Sequence, residues 1–231
     1  MADCVMIPAL GCDERLYRSV AEVLAGKIAS RTVMVSEETL AACVGKVLES
    51  VAGDFIVLGT SFGGRVALEV ALASPQRVKG LAVIGSGAGP VADPVAGLRR
   101  SARLREGELE QVVAEMGAII AHMPGPNGPA AREAFIAMMR TQGADFIARQ
   151  ADALAQRTDL WPRLHEIACP ALMLWGEHDQ FSPAADGQRM ASLIPGGKYI
   201  ELAACGHIPT LEYPGETTTA LLRWLEDANL V

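Results

Sequence analysis

Three predominantly apolar runs of strand length, at residues 54–59, 78–85 and 171–175, constrain this chain more than any other feature. Each is too short for a helix and lacks polar residues at alternate positions, so both of its faces must be buried. Strands buried on both faces belong to a parallel sheet covered by helices. Further strands are predicted over 5–8, 31–35 and 198–202. Helices are predicted over 15–25, closed by Gly26, and over 62–73, 184–193 and 215–228. Ser36, followed by Glu37 and Glu38, reads as the N-cap of one more helix running to Val51. The expected fold class is α/β, with a mostly parallel central sheet of about six strands and helices on both faces.

This rhythm stops between Gly87 and Trp161, where helical patches at 104–122 and 130–142 are divided by the Pro- and Gly-rich stretch 124–129. The expected organisation is therefore a core made of 1–88 and 162–231, interrupted by a helical lid insertion over 89–161. Such a lid lies over the carboxyl ends of the strands, where open α/β sheets bind ligands.

The 231 residues are 50% hydrophobic and 20% charged, which suits one well-buried domain and excludes intrinsic disorder. A net charge of −7 without a basic run argues against nucleic acid as a partner. The acid at Asp3 sits where an export signal needs positive charge, and no segment is long and apolar enough to span a membrane, so a cytoplasmic location is expected. Cys4, Cys12, Cys43, Cys169 and Cys205 are scattered, odd in number and without a Cys-x-x-Cys pair, and read as reduced thiols. Neither a cofactor nor a metal is expected.

The stretch Gly59-Thr60-Ser61-Phe62-Gly63 sets Gly-x-Ser-x-Gly between a predicted strand and a predicted helix, the context this motif needs. A serine on such a turn is strained and exposed, and its neighbours two residues away must be small. Ser61 is the candidate nucleophile, and the Phe62 N–H, at the start of a helix, the candidate oxyanion donor. Gly59 and Gly63 could instead form only a tight turn, with Ser61 capping the helix. A serine needs a base. Of four histidines, His122 and His165 fall in or beside the insertion, and His178 precedes an aspartate in a loop. His207, after the last strand with Gly206 before it and Pro209 after it, is the candidate base. An acid must orient it. Glu177 and Asp179 both follow a strand end and either could serve; depth in the loop favours Asp179, a choice that takes most of its weight from the resemblance given below, and Asp93 is held in reserve.

Together, Gly59-Thr60-Ser61-Phe62-Gly63-Gly64, the loop Trp175-Gly176-Glu177-His178-Asp179, and Gly206-His207 followed by Leu211-Glu212-Tyr213-Pro214 resemble the α/β-hydrolase superfamily over nearly the whole chain. The resemblance implies a triad of Ser61, Asp179 and His207 and a cofactor-independent serine esterase that works through an acyl-enzyme. The implied substrate is an ester or thioester of a small to medium acyl group. Carbon–carbon hydrolysis, acyl transfer, perhydrolysis and a slow ligand receptor stand as alternatives on the same scaffold. The superfamily's His-Gly oxyanion loop is missing from Ile7-Pro8-Ala9-Leu10-Gly11, where Leu10 becomes the second oxyanion donor by position. Relatives that begin with an additional hairpin have a larger sheet, so a compact six-stranded form is expected here.

Within the lid, Met116, Met123, Met138 and Met139 read as core, with an acyl pocket as the alternative. Arg99, Arg100, Arg103 and Arg105 read as a solvated face balanced by Glu106, Glu108 and Glu110. Alternatively they bind a substrate carboxylate, or an acidic carrier protein as in the weakly similar pimeloyl carrier-protein methyl esterases. An apolar lid face would also serve a homodimer.

Overall fold

The computed structural model describes residues 2–91 and 93–231. Six strands form one sheet: β1 (Asp3–Ile7), β2 (Ser30–Thr32), β3 (Phe55–Thr60), β4 (Val78–Ile84), β5 (Ala171–Gly176) and β6 (Gly197–Leu202). All pairings are parallel, in the order β2-β1-β3-β4-β5-β6. The runs that read as doubly buried are so: every residue of β3 and β5 is buried. Helices α1 (Arg18–Leu24), α2 (Leu40–Ser50), α3 (Phe62–Ala73), α7 (Ala184–Leu193) and α9 (Pro214–Asp227) accompany the sheet. Because every strand runs the same way, the segments that follow β1, β3, β4, β5 and β6 all emerge at one edge.

Between β4 and β5 lie α4 (Pro94–Arg105), α5 (Leu109–Ile119) and a long, kinked α6 (Gly128–Ala155). The patch expected as one helix over 104–122 is broken at Gly107, whose φ of +91° ends α4 in the left-handed region, while the Glu108 N–H reaches back to the Arg103 carbonyl. The helix expected to end at Gln142 passes through Gly143 (φ 78°, ψ 172°) and continues to Ala155.

The predicted cap at Ser36 is also corrected. The helix starts at Leu40, capped by Thr39, whose hydroxyl accepts from the Ala42 N–H at 3.2 Å. Tertiary bonds hold the preceding segment extended: Gln150, Arg149 and Gln156 of α6 and its C-cap donate to the Val35, Ser36 and Glu38 carbonyls at 2.7, 2.8 and 3.0 Å. A local capping preference yields to three long-range partners for the backbone. The sequence also gave no sign of the short helix α8 (Pro209–Glu212), which follows His207.

All five cysteines are free. Among the described residues no helix is long and apolar enough to cross a membrane.

Candidate active site

Ser61 lies between β3 and α3 with φ 54° and ψ −114°, a conformation that costs a non-glycine residue about 1–3 kcal/mol. Its N–H donates to the Ile84 carbonyl at 2.8 Å, which fixes the turn to β4. The flanking glycines are sterically required. A Cβ on Gly59 would lie 2.1 Å from the Gly63 carbonyl oxygen, and one on Gly63 would lie 1.9 Å from that of Ile7.

Asp179 and His207 come from the loops after β5 and β6. His207 Nδ1 lies 2.8 Å from each carboxylate oxygen of Asp179, and both side chains are almost fully buried. Asp179 Oδ1 also accepts from the Phe181 and Ser182 N–H groups at 2.8 and 2.9 Å, so its orientation is set by its own loop. The indole N–H of Trp175 donates to the Ser182 carbonyl at 2.8 Å and anchors that loop to the sheet. The Phe181 ring packs 4.8 Å from the imidazole.

The other acids are accounted for. Glu177 accepts from the Ala204 N–H at 3.0 Å and leans toward His178. Asp93 caps α4 through the Val95 and Ala96 N–H groups. His122 and His178 stack on each other at 4.0 Å, and His165 is exposed on a 3-10 turn.

A cavity of about 400 Å³ at the carboxyl edge of the sheet is lined by Leu10, Ser61, Phe62 and His207. Phe62 opens α3, where the first N–H groups have no partner within the helix. The Leu10 N–H, in the turn after β1, takes no protein partner among the described residues. Two free N–H groups beside a strained serine suit an oxyanion.

A family model described as "Alpha/beta hydrolase family" matches residues 7–220. The chain belongs to this alpha/beta hydrolase family.

Among similar proteins, a 2-hydroxy-6-oxononadienedioate/2-hydroxy-6-oxononatrienedioate hydrolase of Dechloromonas aromatica is 29% identical over 176 residues, covering 73% of this chain and 61% of the relative. A hydrolase of the same description from Paraburkholderia xenovorans is 30% identical over 158 residues, covering 65% and 55%. The match thus spans under two thirds of either relative's length. A thermophilic esterase from Thermogutta terrifontis superposes with a TM-score of 0.90 at 22% identity, over 99% of this chain and 90% of that one. The enol-lactonase from Burkholderia xenovorans does so at 0.85 and 20%, over 98% and 92%.

Several residues that shape the site of this alpha/beta hydrolase escaped the sequence reading. Gln150, buried on α6, donates to Val35 and accepts from the Gly11 N–H at 2.8 Å, holding the turn that carries Leu10. Tyr17 donates to the Ile7 carbonyl at 2.7 Å and lies 2.8 Å from the Thr60 hydroxyl, joining the ends of β1 and β3. Gly85, with φ +58°, backs onto the acid–base pair: a Cβ there would lie 3.0 Å from Asp179 and 3.2 Å from His207. Fully buried Arg65, one turn beyond Ser61, bonds Glu69 and the carbonyls of Ala88, Gly89 and Thr158, both borders of the insertion. Glu212, whose motif carried the family resemblance without a role, is buried and accepts from the N–H groups of His122, Gly206 and Ile208.

Within the insertion, Met116 lines the cavity while Met138 and Met139 are core; Met123 is exposed. Of the arginines at its start, Arg103 pairs with Glu108 and Glu115, Arg105 pairs with Asp152, Arg99 is exposed, and Arg100 reaches the cavity.

Proposed function

We propose that this chain is a cofactor-independent serine hydrolase that cleaves an ester or thioester of a small to medium acyl group. The observation that carries the reading is the buried Asp179–His207 pair beside a cavity that also contains the strained Ser61. His207 takes the Ser61 hydroxyl proton as the oxygen attacks the substrate carbonyl carbon. The Phe62 and Leu10 N–H groups hold the resulting oxyanion. His207 then protonates the leaving group, and an acyl-enzyme remains. Water, deprotonated by His207, releases the acid and restores Ser61. Asp179 keeps the imidazole in the tautomer with its proton on Nδ1 and stabilises the imidazolium. The helical insertion acts as the lid that bounds the acyl pocket.

The relatives' names favour a second reading. The compound 2-hydroxy-6-oxononadienedioate has a ketone and two carboxylates but no ester, so its hydrolysis breaks a carbon–carbon bond. The same serine, base and oxyanion donors serve an attack on that ketone.

A panel of p-nitrophenyl esters of increasing acyl length tests the first reading. One optimum length, with turnover abolished in Ser61→Ala, supports it. Turnover of 2-hydroxy-6-oxononadienedioate with no turnover of any ester would replace it with the second.

A further inference from the structure

The cavity that contains Ser61 and His207 also carries two arginines from opposite ends of the insertion, Arg100 on α4 and Arg157 just past α6. The neighbouring Arg103 and Arg105 each have a carboxylate partner. Among the described residues Arg100 and Arg157 have no carboxylate within 4 Å. Arg157 Nε is buried and makes no hydrogen bond, and among the described residues the only bond from this guanidinium is a long 3.5 Å contact from Nη2 to the Pro90 carbonyl. Burial pushes both guanidinium groups below their usual pKa range, which marks them as poorly solvated cations. The remaining charged group on the cavity wall is Asp186 of α7, so the lining carries one net positive charge.

A half-buried guanidinium whose Nε is buried without an acceptor is costly, and its planar fork matches a carboxylate. We infer that Arg157 and Arg100 form an anion subsite in this cavity, selecting substrates that carry a free carboxylate in addition to the carbonyl under attack. The inference rests on the reading of this cavity as the reaction site. It also narrows the sequence-level idea of a four-arginine cluster, because Arg103 and Arg105 are already paired and Arg157 was not among the four. A cavity of about 400 Å³ suits a short acyl chain with a terminal carboxylate, of glutarate size.

Calorimetry with glutarate and uncharged glutaramide on the Ser61→Ala protein tests binding apart from turnover. Glutarate is expected to bind at least tenfold tighter than glutaramide. Arg157→Gln or Arg100→Gln in that background should each weaken glutarate about 10- to 100-fold, as expected for a lost charge-assisted pair. Arg157→Lys, which keeps the charge without the fork, should fall between. In the protein with Ser61 intact, the kcat/KM ratio of p-nitrophenyl hydrogen glutarate over p-nitrophenyl pentanoate should fall at least tenfold in Arg157→Gln. Melting curves check that each variant is folded. Equal binding of glutarate and glutaramide, or full glutarate affinity in both glutamine variants, overturns the subsite even if neutral esters are hydrolysed. Selective glutarate binding without turnover of any ester keeps the subsite and removes the ester reading instead.

Discussion

Replacing Glu212 tests whether this site is held by its surroundings. Its Oε2 accepts from the His122 and Gly206 N–H groups at 2.8 and 2.9 Å, and its Oε1 accepts from Ile208 at 3.3 Å. Two of these donors flank His207, and the third belongs to the insertion. Its side chain is 1% exposed, so none of the three bonds is readily replaced by water. Glu212→Ala strands three buried donors at about 1–3 kcal/mol each; allowing for water entering the space, a loss of about 3–6 kcal/mol follows. Glu212→Gln is nearly isosteric. Its one carbonyl oxygen can keep the two short bonds, but its amide then faces the Ile208 N–H, donor against donor, at about 1–3 kcal/mol. For a chain of this length each kcal/mol moves Tm by about 2–4 °C. Melting by circular dichroism should therefore rank native above Gln above Ala, with Ala at least about 6 °C below native. With the His207 loop loosened, kcat on the best ester should fall in both variants more than KM changes. A glutamine variant that melts with the native protein and retains its kcat would refute the reasoning.

Asp179→Asn presents an amide N–H to His207 Nδ1 and forces the proton onto Nε2, the atom that must accept from Ser61; kcat should fall about 10⁴-fold while the fold survives. Gly63→Ala sets a Cβ against the Ile7 carbonyl, so β1 and the Leu10 turn must shift; kcat on the best ester should drop at least about 100-fold, with a lower Tm. Burial pushes the Cys169 thiol from its usual 9.0 up to about 11, which leaves roughly a hundredfold less thiolate at pH 8 than an open thiol has. Iodoacetamide labelling followed by mass spectrometry should be correspondingly slow in the folded protein. It should quicken as pH rises toward 11, because the folded thiol gives up its proton only there.

What could be read from sequence follows from how local each signal is. The strands within 54–59 and 171–175 are almost wholly apolar because both faces are covered, and that pattern needs no knowledge of partners. Ser61, Asp179 and His207 each follow a strand, so their convergence was implicit once the sheet was parallel. The choice of Asp179 over Glu177 leaned mainly on the family resemblance, because the Phe181 and Ser182 N–H groups that orient its carboxylate meet it only in three dimensions. Gln150 lies 139 residues from the Gly11 N–H it accepts from, and Glu212 lies 90 residues from its donor at His122; no spacing announces either. Ser36 misled because its capping chemistry is local while the bonds that hold its segment come from α6. No motif or predicted element singles out Arg157; only the cavity distinguishes it.

The central claim is that Ser61 is a nucleophile activated by His207. Intact-mass spectrometry after treatment with a fluorophosphonate probe tests it most directly. The native protein should gain one probe adduct, mapped to the peptide containing Ser61, while folded Ser61→Ala and His207→Ala should gain none within the same time. An unlabelled native protein, or an adduct that persists in Ser61→Ala, would contradict the account.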